Sequence, residues 1–106
     1  MTATAVVDIG TMITSSPEIR SGRPRVAGTG VTVMRIAGWY KLGMSPEEIA
    51  ENIYLSLEQV YAALTYYHAN REAIDADLDA EAEEYDRAYQ EHQLKRRQQQ
   101  MLQQQP

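Results

Sequence analysis

The chain contains no cysteine, so disulfide staples and thiolate chemistry are both excluded. It has no apolar run near the ~20 residues that a membrane-crossing helix needs. A basic start followed by a long apolar stretch, the mark of a secretory leader, is missing too, because Asp8 interrupts "TAVVDIGTMI". These absences lead to the expectation of a cytoplasmic protein with no membrane partner. At 106 residues, one small domain with an appendage is expected. A chain this short buries a modest share of its surface and can draw part of its stability from a partner or a second copy.

Charge is unevenly spread. Up to Asn70 the acids Asp8, Glu18, Glu47, Glu48, Glu51 and Glu58 face Arg20, Arg23, Arg25, Arg35 and Lys41, close to balance. From Arg71 onward nine acids face five bases, most of the acids lying in "EAIDADLDAEAEEYD". The net charge of −5 disfavours indiscriminate nucleic-acid binding but leaves room for a local basic arm.

Residues 1–11 carry no useful pattern and read as a flexible N-terminus. "MIT" (Met12 to Thr14) has the makings of a short strand. "RPRV" and "VTV" read as the arms of a hairpin with "AGTG" between them, and Pro24, lacking an amide donor, belongs at an edge. The period then changes. Thr32 is placed to cap a helix from Val33, with Val33, Ile36 and Tyr40 on its inner side and Gly43 ending it. "SPEE" is a concentrated helix start, with Ser45 as N-cap, Pro46 in the first turn and Glu48 completing a capping box. That second helix runs to about Asn52 and offers Ile49 and Ile53 to a core. "SLEQ" repeats the logic with Ser56 and Gln59, and Leu57, Val60, Leu64 and Tyr67 form the inner stripe of a third helix. Two capped helices joined by "IYL" outline a helix-turn-helix. An ordinary small helical bundle fits the same periodicity.

A fourth helix is expected over 71–97, and the glutamine-rich tail 98–106 reads as disordered. Ile74, Leu78, Ala82, Tyr85, Tyr89 and His92 recur at heptad-like spacing along it. Its acids lie early while Lys95, Arg96 and Arg97 lie late, which complements the helix dipole and accounts for the charges without any partner. The tyrosine stripe is another matter, because exposing it would be wasteful. It can fold back on the three-helix body, join a second copy, or dock a partner as a helix in a groove.

The segments "SGRPRVAGTGVTV", "GWYKLGMSPEEIAENI" and "LSLEQVYAALTYYHANREAIDADL", in that order, closely resemble the family catalogued as domain of unknown function 433. The likeness covers roughly Met12 to Leu78. It implies a mostly α fold: a homeodomain-like three-helix body over 12–70 with a small N-terminal β arm. It also implies an antitoxin-like role beside a PIN-like nuclease that the protein would neutralise. Many members carry arginine where Gly30 stands here, so any role of that arginine does not transfer.

For chemistry, "GTG" alone is a weak phosphate signature, since a dinucleotide fingerprint needs a third glycine where Val33 sits. A turn that uses the backbone freedom of Gly28 and Gly30 is the simpler reading. Arg23 and Arg25 alternate about Pro24 and so share a face of an extended arm, which suits a phosphate or carboxylate, or plain solvation. In a helix-turn-helix the third helix would present Glu58, Gln59, Ala62, Thr65 and Tyr66 to the major groove, with Gln59 reading adenine and Thr65 a thymine methyl. That helix has no lysine or arginine to neutralise phosphate, and protein contact is an equally good use of the scaffold. His68 and His92 are far apart, Asp75 and Asp79 lack a third ligand, and no serine has an evident base partner. No enzyme activity, cofactor or metal is expected.

The resemblance therefore implies an antitoxin-like protein that neutralises a PIN-like nuclease, with promoter DNA as a second ligand and a homodimer as a further option. Ile74, Leu78, Tyr85 and Tyr89 are the candidate partner face; Arg23, Arg25, Gln59 and Thr65 are the candidate nucleic-acid contacts. The competing reading is a non-catalytic dimerisation or adaptor module with neither DNA nor nuclease.

Overall fold

The computed structural model describes residues 8–103 and divides into two compact units, residues 1–74 and 75–106. In the first, a 3-10 turn over Ile9–Thr11 leads into β1 (Ile13–Thr14), and a second turn over Arg20–Gly22 precedes β2 (Arg25–Val26). Three helices follow: α1 (Val33–Lys41), α2 (Pro46–Ile53) and α3 (Leu57–Ala69). Of the expected flexible segment, residues 1–7 lie outside the described residues. Residues 8–11 form a capped turn in which the Asp8 carboxylate accepts from the Gly10 amide at 3.0 Å.

The hairpin takes a different partner from the one expected. β2 pairs antiparallel with β1, Ile13 opposite Val26 and Thr14 opposite Arg25. "VTV" contributes only a bridge from Thr32 to Arg25, because Val33 already begins α1 and a residue in a helix cannot extend a ladder. Pro24 sits just before β2, where its missing donor costs nothing and its carbonyl accepts from the Val33 amide at 2.9 Å.

Each helix start carries the expected N-cap, but the capping box expected at Ser45 and Glu48 is not formed, because the Glu48 carboxylate accepts from the Ser45 hydroxyl and not from its amide. The Thr32 hydroxyl accepts from the Arg35 amide at 3.1 Å. Ser45 accepts from the Glu48 amide at 3.1 Å and donates its own proton to the Glu48 carboxylate. Ser56 and Gln59 form the full reciprocal capping box. Gly43 ends α1 with φ +99. α2 ends on Tyr54, a left-handed residue (φ 55) whose side chain is 95% exposed.

The core lies where α1 and α2 pack on α3 and the two strands lean against the same helix. Val26, Val33, Ile36, Ala37, Ile49, Val60, Ala63 and Tyr67 are buried there, and the larger of these side chains contribute roughly 1.5–3 kcal/mol each. Two expected core residues are displaced. Leu57, first residue of α3, and Tyr40, near the end of α1, are both partly in water. The inner stripe of α3 is instead Val60, Ala63, Leu64 and Tyr67, a turn further along.

A single residue, Asn70, separates α3 from α4 (Arg71–Gln103). Its amide bonds to the Tyr66 and Tyr67 carbonyls, closing α3, while its own carbonyl accepts from the Ile74 amide, opening α4. Ile74 is buried as part of the first unit. The second unit is the rest of α4. The helix passes the expected end at Arg97 and continues to Gln103, because glutamine is a good helix former and needs no core to stay helical. Residues 104–106 of the expected disordered tail lie outside the described residues.

Candidate interaction surfaces

The glycine-rich loop spends its hydrogen-bonding groups on itself. The Thr29 amide bonds to the Val26 carbonyl with Gly28 at φ +78, the pattern of a type II turn. The Thr29 hydroxyl donates to the Val26 carbonyl at 2.9 Å and accepts from the Val31 amide at 3.1 Å. The Val26 amide reaches the Val31 carbonyl. The Thr29 and Val31 amides, which a phosphate cradle would need free and pointing outward, are thus spent in the turn.

Arg25 is the tie that holds it. Its guanidinium donates to the Thr29 carbonyl at 3.0 Å and to the Ser16 hydroxyl at 3.3 Å, and the residue is 8% exposed. Arg23, two positions earlier, is exposed. The shared basic face inferred from their alternation is thus not formed: β2 pairs at Arg25 and turns that side chain inward, while Arg23 lies before the strand. The neighbouring Arg20 donates to the Gly30 carbonyl at 3.1 Å, and its guanidinium lies at ordinary contact distance, 3.4–3.9 Å, from where a Cβ at position 30 would sit. Arg20 and Ser21 are both left-handed, with Gly22 continuing the same hand. Such a turn costs roughly 1–2 kcal/mol for each residue that is not glycine.

On α3 the outward face is Glu58, Tyr61, Thr65 and His68. Ala62, expected on that face, is buried, and Gln59 and Tyr66 are half-buried. The Gln59 amide oxygen accepts from the Ser56 amide at 2.8 Å, which removes half of the bidentate contact that adenine recognition uses. Thr65 donates back to the Tyr61 carbonyl at 2.8 Å. Tyr61 was not among the predicted contacts, although it lies four residues before Thr65 and the helical period could have found it. At the far end of α3, His68 meets the edge of the Tyr40 ring at 5.9 Å and lies 5.1 Å from the Tyr67 ring. On α1, the Arg35 guanidinium lies 4.9 Å over the Trp39 ring, an arrangement in which the cation is held by the ring face. Lysine and arginine are thus absent from the exposed face of α3, and Glu58 stands on it.

On α4 the predicted partner face is only partly open. Ile74 is buried and Leu78 half-buried, whereas Tyr85 and Tyr89 are 72% and 57% exposed. The four residues do not form one exposed strip, because Ile74 is already used by the first unit. Leu94, Met101 and Leu102 are exposed too, but at 100° per residue Leu94 and Met101 fall on the side away from the tyrosines. Among the described residues, no group of three or more His, Asp or Glu converges where a metal ion could sit. None of the described helices is long and apolar enough to cross a membrane.

A small β arm tied by a buried arginine, with three capped helices centred on α3, defines a compact helical module. The chain belongs to the family described as Protein of unknown function (DUF433), whose model matches residues 13–67. That match opens on β1 and closes on Tyr67, so α4 lies outside it. A crystal structure of a DUF433 member protein from Anabaena variabilis ATCC 29413 is similar in sequence and fold, with 27% identity and a TM-score of 0.61. The likeness covers 65% of this chain and 69% of that one. No curated protein matches the chain.

Proposed function

We propose that the protein is a non-catalytic, antitoxin-like binding partner that neutralises a PIN-like nuclease by laying the tyrosine face of α4 on it. The observation that supports this most is the exposure of Tyr85 and Tyr89, i and i+4 on one side of a helix with almost no buried side chain beyond Ile74. Tyrosine supplies a large apolar body and a polar tip at low entropic cost, which is why interfaces favour it. An amphipathic helix in a partner's groove is a standard mode of recognition. The nuclease as partner class comes from the family resemblance. Because α4 lies outside the family match, it is the part of the chain that would choose which partner is bound.

Co-expression tests the reading. The protein should rescue cells from a neighbouring PIN-like open reading frame, and Tyr85→Ala/Tyr89→Ala should lose rescue while the body keeps its unfolding midpoint. An absent neighbouring nuclease, or no rescue by the unsubstituted chain, points instead to a dimerisation or adaptor module, and rescue that survives the double substitution moves the contact off this face.

Promoter DNA receives less support from the surface. Arg25 faces inward, the outer face of α3 carries no lysine or arginine, and phosphate neutralisation normally carries much of DNA affinity. Arg23 is the exposed arginine of the predicted set. A shift assay with the upstream DNA at two salt concentrations decides: a salt-sensitive complex weakened by Arg23→Ala would restore the DNA role.

A further inference from the structure

We propose that α4 pairs with α4 of a second copy of this chain, antiparallel, about an axis near Arg87. The proposal needs nothing outside this chain and does not rest on the nuclease reading; a second copy and a nuclease would compete for the same tyrosines.

The seam comes first. Leu78, Ala82, Tyr85, Tyr89, His92 and Arg96 follow one another at steps of 4, 3, 4, 3 and 4, the alternation that keeps one face turned to a partner helix. They span about 27 Å at 1.5 Å per residue. All but Leu78, which is half-buried, are exposed in the single chain.

Charge then selects the occupant and its direction. From Glu72 to Asp86 the helix carries eight acids and no base; from Arg87 to Arg97 it carries four bases and one acid. A parallel pair would set acid on acid along the first half. An antiparallel pair sets each acidic half beside the basic half of the other copy. In the register that opposes Tyr85 to Tyr89, Ala82 meets His92 and Leu78 meets the aliphatic stem of Arg96. The flanking positions then bring Glu81 beside Lys95 of the other copy, twice by symmetry, and Ala88 beside itself at the axis, where a small residue lets the helices approach. One contact opposes the pairing, since Asp86 faces its own copy across the axis. A second copy therefore satisfies this face with its own charges, as a self-complementary twofold interface requires. The seam is short, so the dimer belongs at the weak end of specific interfaces.

The cysteine-free full-length chain allows a direct test. Ala82→Cys mixed with His92→Cys, under mild oxidation, should give a covalent dimer, and neither variant alone should give one. Sedimentation of the unsubstituted chain should show a concentration-dependent dimer. Tyr85→Ala/Tyr89→Ala should raise its dissociation constant at least tenfold without altering the body's unfolding midpoint. Glu81→Lys should weaken the dimer, adding Lys95→Glu should restore it, and Asp86→Asn should tighten it. A chain that stays monomeric at every concentration overturns the proposal. So does self-crosslinking of Ala82→Cys alone, which marks a parallel pair, or a tightening by Glu81→Lys, which would then relieve a clash with Asp86. A dimer that ignores the tyrosine substitutions lies elsewhere on the molecule and overturns it as well. None of these readouts involves the nuclease, so failure of rescue and failure of pairing are separable.

Discussion

Residues 1–74 and residues 75–106 are stabilised by different physics. In the first unit, three helices of 9, 8 and 13 residues are each too short to persist alone. They hold because Ile36, Ile49, Val60 and Tyr67 leave water together and because caps satisfy their first amides. In the second, α4 runs for most of its 33 residues with exposed side chains. What keeps that stretch helical is propensity, spaced charges and dipole complementarity, each worth only tenths of a kcal/mol. One unit is built by burial and uses its surface sparingly; the other is nearly all surface.

The sharpest way to break that contrast is to truncate one tyrosine in each unit. Tyr67→Ala should cost about 3–5 kcal/mol and abolish the cooperative urea transition of the body. Tyr85→Ala should move that transition by less than about 0.5 kcal/mol. Equal losses would mean that the two units share one core. Arg25→Ala comes next, at about 1–3 kcal/mol, because the Thr29 carbonyl and the Ser16 hydroxyl both lose a charged donor. The same measurement on Arg23→Ala should register almost nothing. Ser56→Ala should lower the body's stability by about 1 kcal/mol through the lost cap, with denaturant titration as the check. Smallest and opposite in sign, Tyr54→Gly should gain up to about 1 kcal/mol: the left-handed backbone suits glycine, and a side chain 95% in water has little packing to lose.

Much of the body was legible because capping and period are local. Thr32, Ser45 and Ser56 announce their helices within four letters, and Gly43 closes α1 where a left-handed residue was required. The strand pairing was harder to see. "MIT" and "VTV" offer Arg25 and Val26 similar β-branched partners, and the competition is decided by Thr32, which gives its neighbour to a helix instead. Arg25 illustrates the same limit at the site. Alternation about Pro24 correctly separates odd from even positions, but it cannot say which face the other segments cover. Gln59 was recognised both as a cap and as a base reader, and in the structure its amide oxygen is spent on the cap. On α4 the spacing of Tyr85 and Tyr89 was plain from the letters, whereas the burial of Ile74 depends on packing at the end of the body. The helicity of residues 98–103 follows from glutamine's propensity, which repetitive composition had masked.

The bare outer side of α3 has an evolutionary meaning. Glu58, Thr65 and Ala69 all reach solvent, so exchanging them for arginine would leave Val60 and Tyr67 undisturbed and, by propensity, favour the helix at Thr65. A handful of codons would thus re-dress the same scaffold as a polyanion reader. Such a change of surface would leave the buried core, and so the fold, as it is.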